Sequence, residues 1–360
     1  MQSFEQYTPT KVVFGKGAEE KAGKLLKDAG ASKVFVVYGG GSVVKNGILQ
    51  RVRKSVEAEG IGWEEFPGAK PNPLLSHARE GVRRAIACKA DYILAIGGGS
   101  AIDTAKAIAL GAAEPDTDIW EFWLGQKKIR RALPVGAVLT LPAAGSEMSD
   151  SAVLTEDNTG YKAGVNADAL RPQLALMNPE LTYTLPRYQV ACGVVDILMH
   201  TLERYFTSVK GNELTDEIAE GLMRTVIRNG EIAYKDPTDY DAMSELMWCG
   251  SLSHNGLTGL GRPKDFAAHK LGHGLSGMFD KAHGATLSAT WGSWARYVYH
   301  LDEERFARYG REVWGIDIED TGKAAIAAIE RTEEFFRSLQ MPACIGELGI
   351  GLLSDEVLKK

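Results

Sequence analysis

Cysteine is scarce and scattered. Cys88, Cys192, Cys249 and Cys344 are the only four in 360 residues, and no two form a CxxC pair. That excludes a disulfide framework and a thiolate zinc site, and it leaves free thiols suited to a reducing compartment. Long apolar runs are missing as well: no stretch reaches the roughly 18 residues of a membrane span. The start, Met1 to Gly15, is polar and carries Glu5 in place of the basic and apolar regions of a signal peptide. A cytoplasmic location is therefore expected. Lys and Arg are nowhere clustered among aromatics and the formal net charge is −6, so the electrostatic footprint of a nucleic-acid binder is absent. Low-complexity tracts and internal repeats are also lacking, which excludes disordered and solenoid architectures.

What is present is an ordinary globular composition, 44% apolar and 24% charged, in a chain long enough for two domains sharing a cleft. From about Val12 to Tyr183, near-continuously apolar runs at Lys33 to Tyr38, Asp91 to Ile96 and Pro134 to Thr140 alternate with helical stretches at Lys45 to Glu59 and Ser76 to Ala87. This is the rhythm of a parallel α/β sheet covered on both faces. After Leu185 and Pro186 the pattern becomes helical throughout, at Arg187 to Phe206, Glu213 to Arg228, Tyr240 to Asn255 and Lys323 to Gln340. Pro186 suits the opening turn of a helix. The expected division is an α/β domain over residues 1–185 and an all-helical domain over 186–360.

Two glycine loops follow strands. DYILAIGGGSAIDTAK, Asp91 to Lys106, places Gly97, Gly98 and Gly99 before a helix, with Ser100 as the expected N-cap and Asp103 three residues on. Backbone amides there can approach a pyrophosphate and the helix end adds positive potential, although a plain strand-to-helix turn would read alike and the GxGxxG spacing is absent. The other loop, Gly39, Gly40, Gly41 and Ser42, stands where many dinucleotide sites carry a carboxylate for the adenosine ribose. Its absence, with Ser42 and Lys45 as donors, favours NADP over NAD.

Three of the seven histidines, His269, His273 and His283, fall within fifteen residues, and His200 lies four residues after Asp196 on one helical face. Asp with His makes a mixed oxygen and nitrogen set suited to Fe²⁺ or Zn²⁺. Spacing leaves open whether His269 or His273 is the ligand. His77, His254 and His300 read as surface or packing residues. Trp248, Asn255 and Phe266 read as apolar pocket wall.

With these motifs in order, the chain resembles the iron-containing (group III) alcohol dehydrogenase family, and within it the butanol dehydrogenase-like, NADPH-dependent aldehyde reductases. The likeness rests on PTKVVFGKGAEE, GGGSAIDTAKAIA, TLPAAGSEMSDSAV, GVVDILMHTLE and HKLGHGLSGMFDKAHG, and covers nearly the whole chain. It implies a dehydroquinate synthase-like fold, a Rossmann-like dinucleotide domain followed by a helical metal domain. The metal ligands then fall on Asp196, His200, His269 and His283, with His273 assisting proton transfer and Asp103 in the catalytic machinery. The cofactor residues fall on Gly39, Gly40, Gly41, Ser42, Asn72, Gly98, Gly99, Ser100, Asp103, Thr140, Leu141, Ser149, Lys162 and Leu181. Ser149 departs from the larger polar residue common in relatives, and relatives usually continue beyond the closing SDEVLKK. The implied function is hydride transfer between a nicotinamide and small primary alcohols or aldehydes, in a homodimer. A polyol dehydrogenase, a metal-dependent lyase and a non-catalytic sensor are the competing readings. The lyase wants more cations around its substrate than Arg262, Lys264, Lys270 and Lys281.

Overall fold

The computed structural model describes residues 1–351, 353 and 354. Its first half contains, in order, β1 (Lys11–Phe14), α1 (Ala22–Asp28), β2 (Lys33–Tyr38), α2 (Ser42–Lys45), α3 (Ile48–Ala58), β3 (Gly62–Pro67), α4 (Leu75–Ala87), β4 (Tyr92–Gly97), α5 (Gly99–Ala113), α6 (Ile119–Trp123), β5 (Val135–Leu139), β6 (Ser151–Thr155), β7 (Lys162–Asn166) and β8 (Leu174–Met177). Six strands form a parallel sheet in the order β1-β8-β5-β4-β2-β3, and β6 pairs antiparallel with β7 in a separate hairpin. The apolar runs are near-continuous because both faces are covered. Val34 and Val36 pack with Val52 and Val56 of α3, while Phe35 and Val37 pack with Ile102 and Ile108 of α5 on the other side.

From β2 the chain moves outward to β3, then returns past β2 to β4 and continues to β5. The β2/β4 pair is thus the point at which strand order reverses, where α/β sheets bind ligands beyond the carboxyl ends of their strands. Both glycine loops leave from this pair.

The second half holds α7 (Arg187–Tyr205), α8 (Glu213–Lys235), α9 (Tyr240–His254), α10 (Ala267–Phe279), α11 (His283–Val298), α12 (Glu303–Trp314) and α13 (Thr321–Ser338), with no strand among the described residues. Its core centres on α7, whose residues from Val194 to Tyr205 are all buried, so its polar members Asp196 and His200 are carried inside by the helix.

Three local expectations are corrected. The helix read from Lys45 to Glu59 begins only at Ile48, as α3, because Gly47 adopts a left-handed φ of 70° and α2 has already ended at Lys45. Pro186 is the N-cap of α7, one position before the first turn. Gly98, not Ser100, is the N-cap of α5, and no side chain caps that helix; Ser100 lies within its first turn.

Candidate active site

Asp196 and His200 project from one face of α7, His269 comes from α10, and His283 is the first residue of α11. They converge on one atom. Asp196 Oδ1 is 3.4 Å from His200 Nε2, 3.8 Å from His269 Nε2 and 3.9 Å from His283 Nε2. Ligand atoms held tetrahedrally at about 2.1 Å from a cation lie about 3.4 Å apart, so this cage is close to metal-ligand spacing. Asp196 Oδ1 and His269 Nε2 are buried without a hydrogen-bond partner. Orphaned polar atoms inside a protein are costly, and a cation satisfies both at once. Burial pushes His200 and His283 well below the usual imidazole range, keeping the neutral rings that metal binding requires. The buried Glu203 carboxylate pairs with His269 Nδ1 and accepts the His269 backbone N–H at 3.0 Å. That fixes the hydrogen on Nδ1 and turns the lone pair of Nε2 toward Asp196. The residues present therefore fit a divalent cation.

The tightest group of donor atoms is Asp196, His200 and His269; His283 reaches Asp196 but stands wider from the rest, and His273, one turn beyond His269 on α10 with ring centroids 6.3 Å apart, lies outside. It borders the same cleft of about 1140 Å³ that the four converging residues share with Lys162, Asn72 and the first turn of α5. Burial, and then the charge of Lys162, hold His273 well below its ordinary value. Lys162 Nζ donates to Asn72 Oδ1 at 3.0 Å, and burial brings its amine down to about 8.

Of the expected cofactor residues, Asn72, Gly99, Ser100, Asp103, Leu141, Ser149 and Lys162 border the cleft. Gly39, Gly40, Gly41 and Ser42 leave β2 beyond its wall, Gly98 backs onto Leu141, Thr140 donates its N–H to the Gly97 carbonyl, and Leu181 is packed with Val34 and Tyr38. Asp103 does not present a free carboxylate. Its Oδ1 accepts from Ser146 Oγ at 2.6 Å and its Oδ2 from the Val153 N–H at 2.9 Å, so it pins the loop and strand that wall the cleft. Ser149 is held from behind, its carbonyl accepting from the buried Lys106 Nζ at 3.0 Å.

The wall itself differs from expectation. Phe266 borders the cleft, but Trp248 is 40% exposed elsewhere and Asn255 is buried with its side chain bonded to the Leu257 N–H. Arg204, Lys264 and His254 stand there instead. His254, expected to be a packing residue, stacks on the His200 ring at 3.9 Å and bonds the Ala144 carbonyl through Nδ1. Glu203 carried a legible signal, lying three residues after His200, whereas His254 is brought in from α9 with none. His77 stacks on Phe66 and His300 is exposed, as expected. All four cysteines are free.

At the other rim the halves touch. Gly160, in the β6–β7 turn, meets Gly277 of α10 so closely that a Cβ on Gly277 would lie 2.1 Å from the Gly160 carbonyl oxygen. Beside it, Asn72 Nδ2 donates to Asp280 Oδ1 at 3.2 Å.

The family model for iron-containing alcohol dehydrogenase matches residues 9–179, and that for the C-terminal part of the same family matches residues 190–357. NADH-dependent butanol dehydrogenase A of Clostridium acetobutylicum is 40% identical over 362 residues, covering 100% of this chain and 92% of that protein. NADPH-dependent aldehyde reductase YqhD of Escherichia coli is 37% identical over 363 residues, covering 100% and 93%. The crystal structure of NADH-dependent butanol dehydrogenase A from Thermotoga maritima superposes with a TM-score of 0.95 at 38% identity, over 97% of this chain and 87% of that one. A converging carboxylate and three imidazoles, a glycine-rich opening to α5 and these matches across both halves agree: the chain belongs to the iron-containing alcohol dehydrogenase family.

Proposed function

We propose that the chain is an NADP-preferring reductase of small aldehydes, and in reverse a dehydrogenase of the matching primary alcohols, with butanal and butanol as model substrates. The observation that carries this reading is the opening of the Asp196 cage into the same cleft as Lys162 and the first turn of α5. Residues 1–185 would hold the dinucleotide and residues 186–360 the metal, with the reacting groups meeting between them. Asp196, His200, His269 and His283 would hold Fe²⁺, with Zn²⁺ accommodated by the same donors. When bound, such a cation would supply a Lewis acid for the substrate oxygen and the nicotinamide would supply the hydride. The protein's own residues supply the rest. His273, a neutral imidazole bordering the cleft, accepts the alcohol proton in oxidation and returns one in reduction. Lys162 has hydrogens to spare for ribose hydroxyls beyond the one given to Asn72. Asp103 and Lys106 act as positioning residues, fixing the wall from Ser146 to Val153.

The preference for NADP rests on the acid-free loop after β2, with Ser42 and Lys45 at its end, since the relatives include both NADH- and NADPH-dependent proteins. A homodimer in the cytoplasm completes the proposal. The test is reduction of butanal by the metal-loaded protein, followed by loss of reduced nicotinamide. The reading expects turnover with kcat/KM for NADPH at least about ten-fold above NADH, and Gly40→Asp, at a position with open space around it, should erode that ratio. Binding without turnover would instead identify a sensor, and faster oxidation of glycerol than of butanol a polyol dehydrogenase.

A further inference from the structure

Arg204 is an unusual residue for the wall of an aldehyde pocket. It lies one turn beyond His200 on α7, is 3% exposed, and borders the cleft. Nη1 donates to the His200 carbonyl at 2.6 Å; Nε is buried with no hydrogen-bond partner, and no carboxylate lies within 4 Å of the guanidinium among the described residues. Other arginines of this half have carboxylate partners: the buried Arg262, whose Nε is likewise unbonded, and the partly buried Arg305 converge on Asp216, and the partly buried Arg308 on Glu220, whereas Arg204 has only the face of the Phe266 ring, 4.9 Å from its Cζ. A guanidinium kept for structure would be expected to look like those, because a buried cation without a counter-charge is costly. The closest acidic influence on Arg204 is Asp150, already 3.7 Å from Arg171.

Two neighbours sharpen the deficit of negative charge. Lys264 borders the same cleft as an exposed residue, and the partial burial of its amine and the charge of Arg204 lower it. Burial also brings Arg204 down to about 10. His200 Nδ1 stands 3.4 Å from Arg204 Nη1. With a cation on Nε2, Nδ1 would carry the hydrogen, and the two donors would then face each other without satisfying one another.

We infer that this end of the cleft is a subsite for a carboxylate, and that the preferred substrate is a short aldehyde bearing a carboxylate at the end remote from the reacting carbon. The inference rests on the reductase reading above and narrows it. A carboxylate is favoured over phosphate because Nε is buried and Nη1 is already given to the His200 carbonyl, so Arg204 and Lys264 together supply few free donors, enough for a singly charged planar group and short of a dianion's needs. The adenosine phosphate of NADP is not the occupant, since the loop expected to receive it, Gly39 to Ser42, leaves β2 beyond the cleft wall, whereas Arg204 touches His200.

The test compares 4-oxobutanoate with butanal, equal in carbon number, using metal-loaded protein and NADPH. The expected result is a kcat/KM for 4-oxobutanoate at least about ten-fold higher, expressed mainly in KM. Arg204→Gln should lower that ratio by about ten-fold at retained metal content, and Lys264→Gln, altering a solvent-accessible side chain, by a smaller factor. Calorimetric titration should show 4-hydroxybutanoate binding more tightly than butan-1-ol, and propanoate competing better than methylphosphonate; the reverse order in the last pair would overturn the carboxylate assignment. Equal efficiency for the two aldehydes, or a preference surviving both substitutions, overturns the subsite and leaves the reductase reading intact. Tight binding of 4-hydroxybutanoate without turnover of either aldehyde does the opposite.

Discussion

Asp196 Oδ1 is the atom on which three imidazoles converge, and one of them is oriented from behind by a second carboxylate. That imidazole is His269 and the carboxylate is Glu203, which bonds both the ring and the backbone N–H. Glu203→Gln keeps the size but offers the ring an amide, so metal affinity should fall roughly ten- to a hundred-fold, as a competition with a chelator would measure. His283 and His273 separate by role. His283→Ala removes one side of the cage and should cost metal content and turnover together, each by at least about ten-fold; full metal occupancy in that variant would remove His283 from the ligand set. His273→Ala should keep its metal, by elemental analysis, while kcat drops roughly a hundred-fold. Metal loss in the second variant would mean that the roles of the two histidines are exchanged. The i, i+4 pairs were readable from spacing alone, but which of His269 and His273 reaches Asp196 was not, because the angle at which α10 crosses α7 decides it. His254 was read as a surface or packing residue, Lys264 was counted only among the cations a lyase would use, and Arg204 was not singled out, since their meeting point is made by α7, α9 and the segment before α10 folding together.

The elements of the helical half are tied by charge as well as by packing. Asp216 of α8 receives Arg305 of α12 at 2.7 Å and Arg262 at 2.6 Å, and these cations hold its carboxyl below the usual range against the opposing effect of burial. Asp216→Asn should destabilise the protein by about 3 kcal/mol near neutral pH, seen as a lower Tm. The sign with pH follows from the depressed value. The stabilisation is complete above the ordinary carboxylate range near pH 4 and is lost as pH falls through the lower folded-state value, so the Tm gap between wild type and variant should narrow below about pH 4. The central strands β2, β4 and β5 and the helices α4, α7, α8, α9 and α13 were legible because those strands are buried on both faces and those helices carry an apolar stripe, whereas β1, β3, β6, β7, β8 and α10 to α12 were not read. The break at Gly47 was not, since α2 and α3 both continue an amphipathic pattern and only the left-handed φ separates them. Ser100 looked like a cap because its spacing to Asp103 imitates a capping box, yet Asp103 spends its oxygens on Ser146 and Val153. The α5 amides are thereby left for a ligand.

At the scale of the molecule, a nucleotide-type sheet and a metal-type bundle face each other across one cleft, and no helix among the described residues is long and apolar enough to cross a membrane. The two halves also touch at Asn72 and Asp280, both held in left-handed backbone, with φ of 54° and 48°. Asn72 is drawn three ways, to Lys162, to Asp280 and, on the family resemblance, to the dinucleotide. Asp280 closes α10, so the chain runs directly from it to His283. A nucleotide that recruited Asn72 would therefore compete with its bond to Asp280, next to the segment joining His269 to His283. Stripping by a chelator should accordingly proceed at different rates with and without NADPH; identical rates would show the two occupancies to be independent. If they are linked, thermodynamics requires the traffic to run both ways: whatever factor the nucleotide applies to the hold on the metal, the metal applies in full to the hold on the nucleotide.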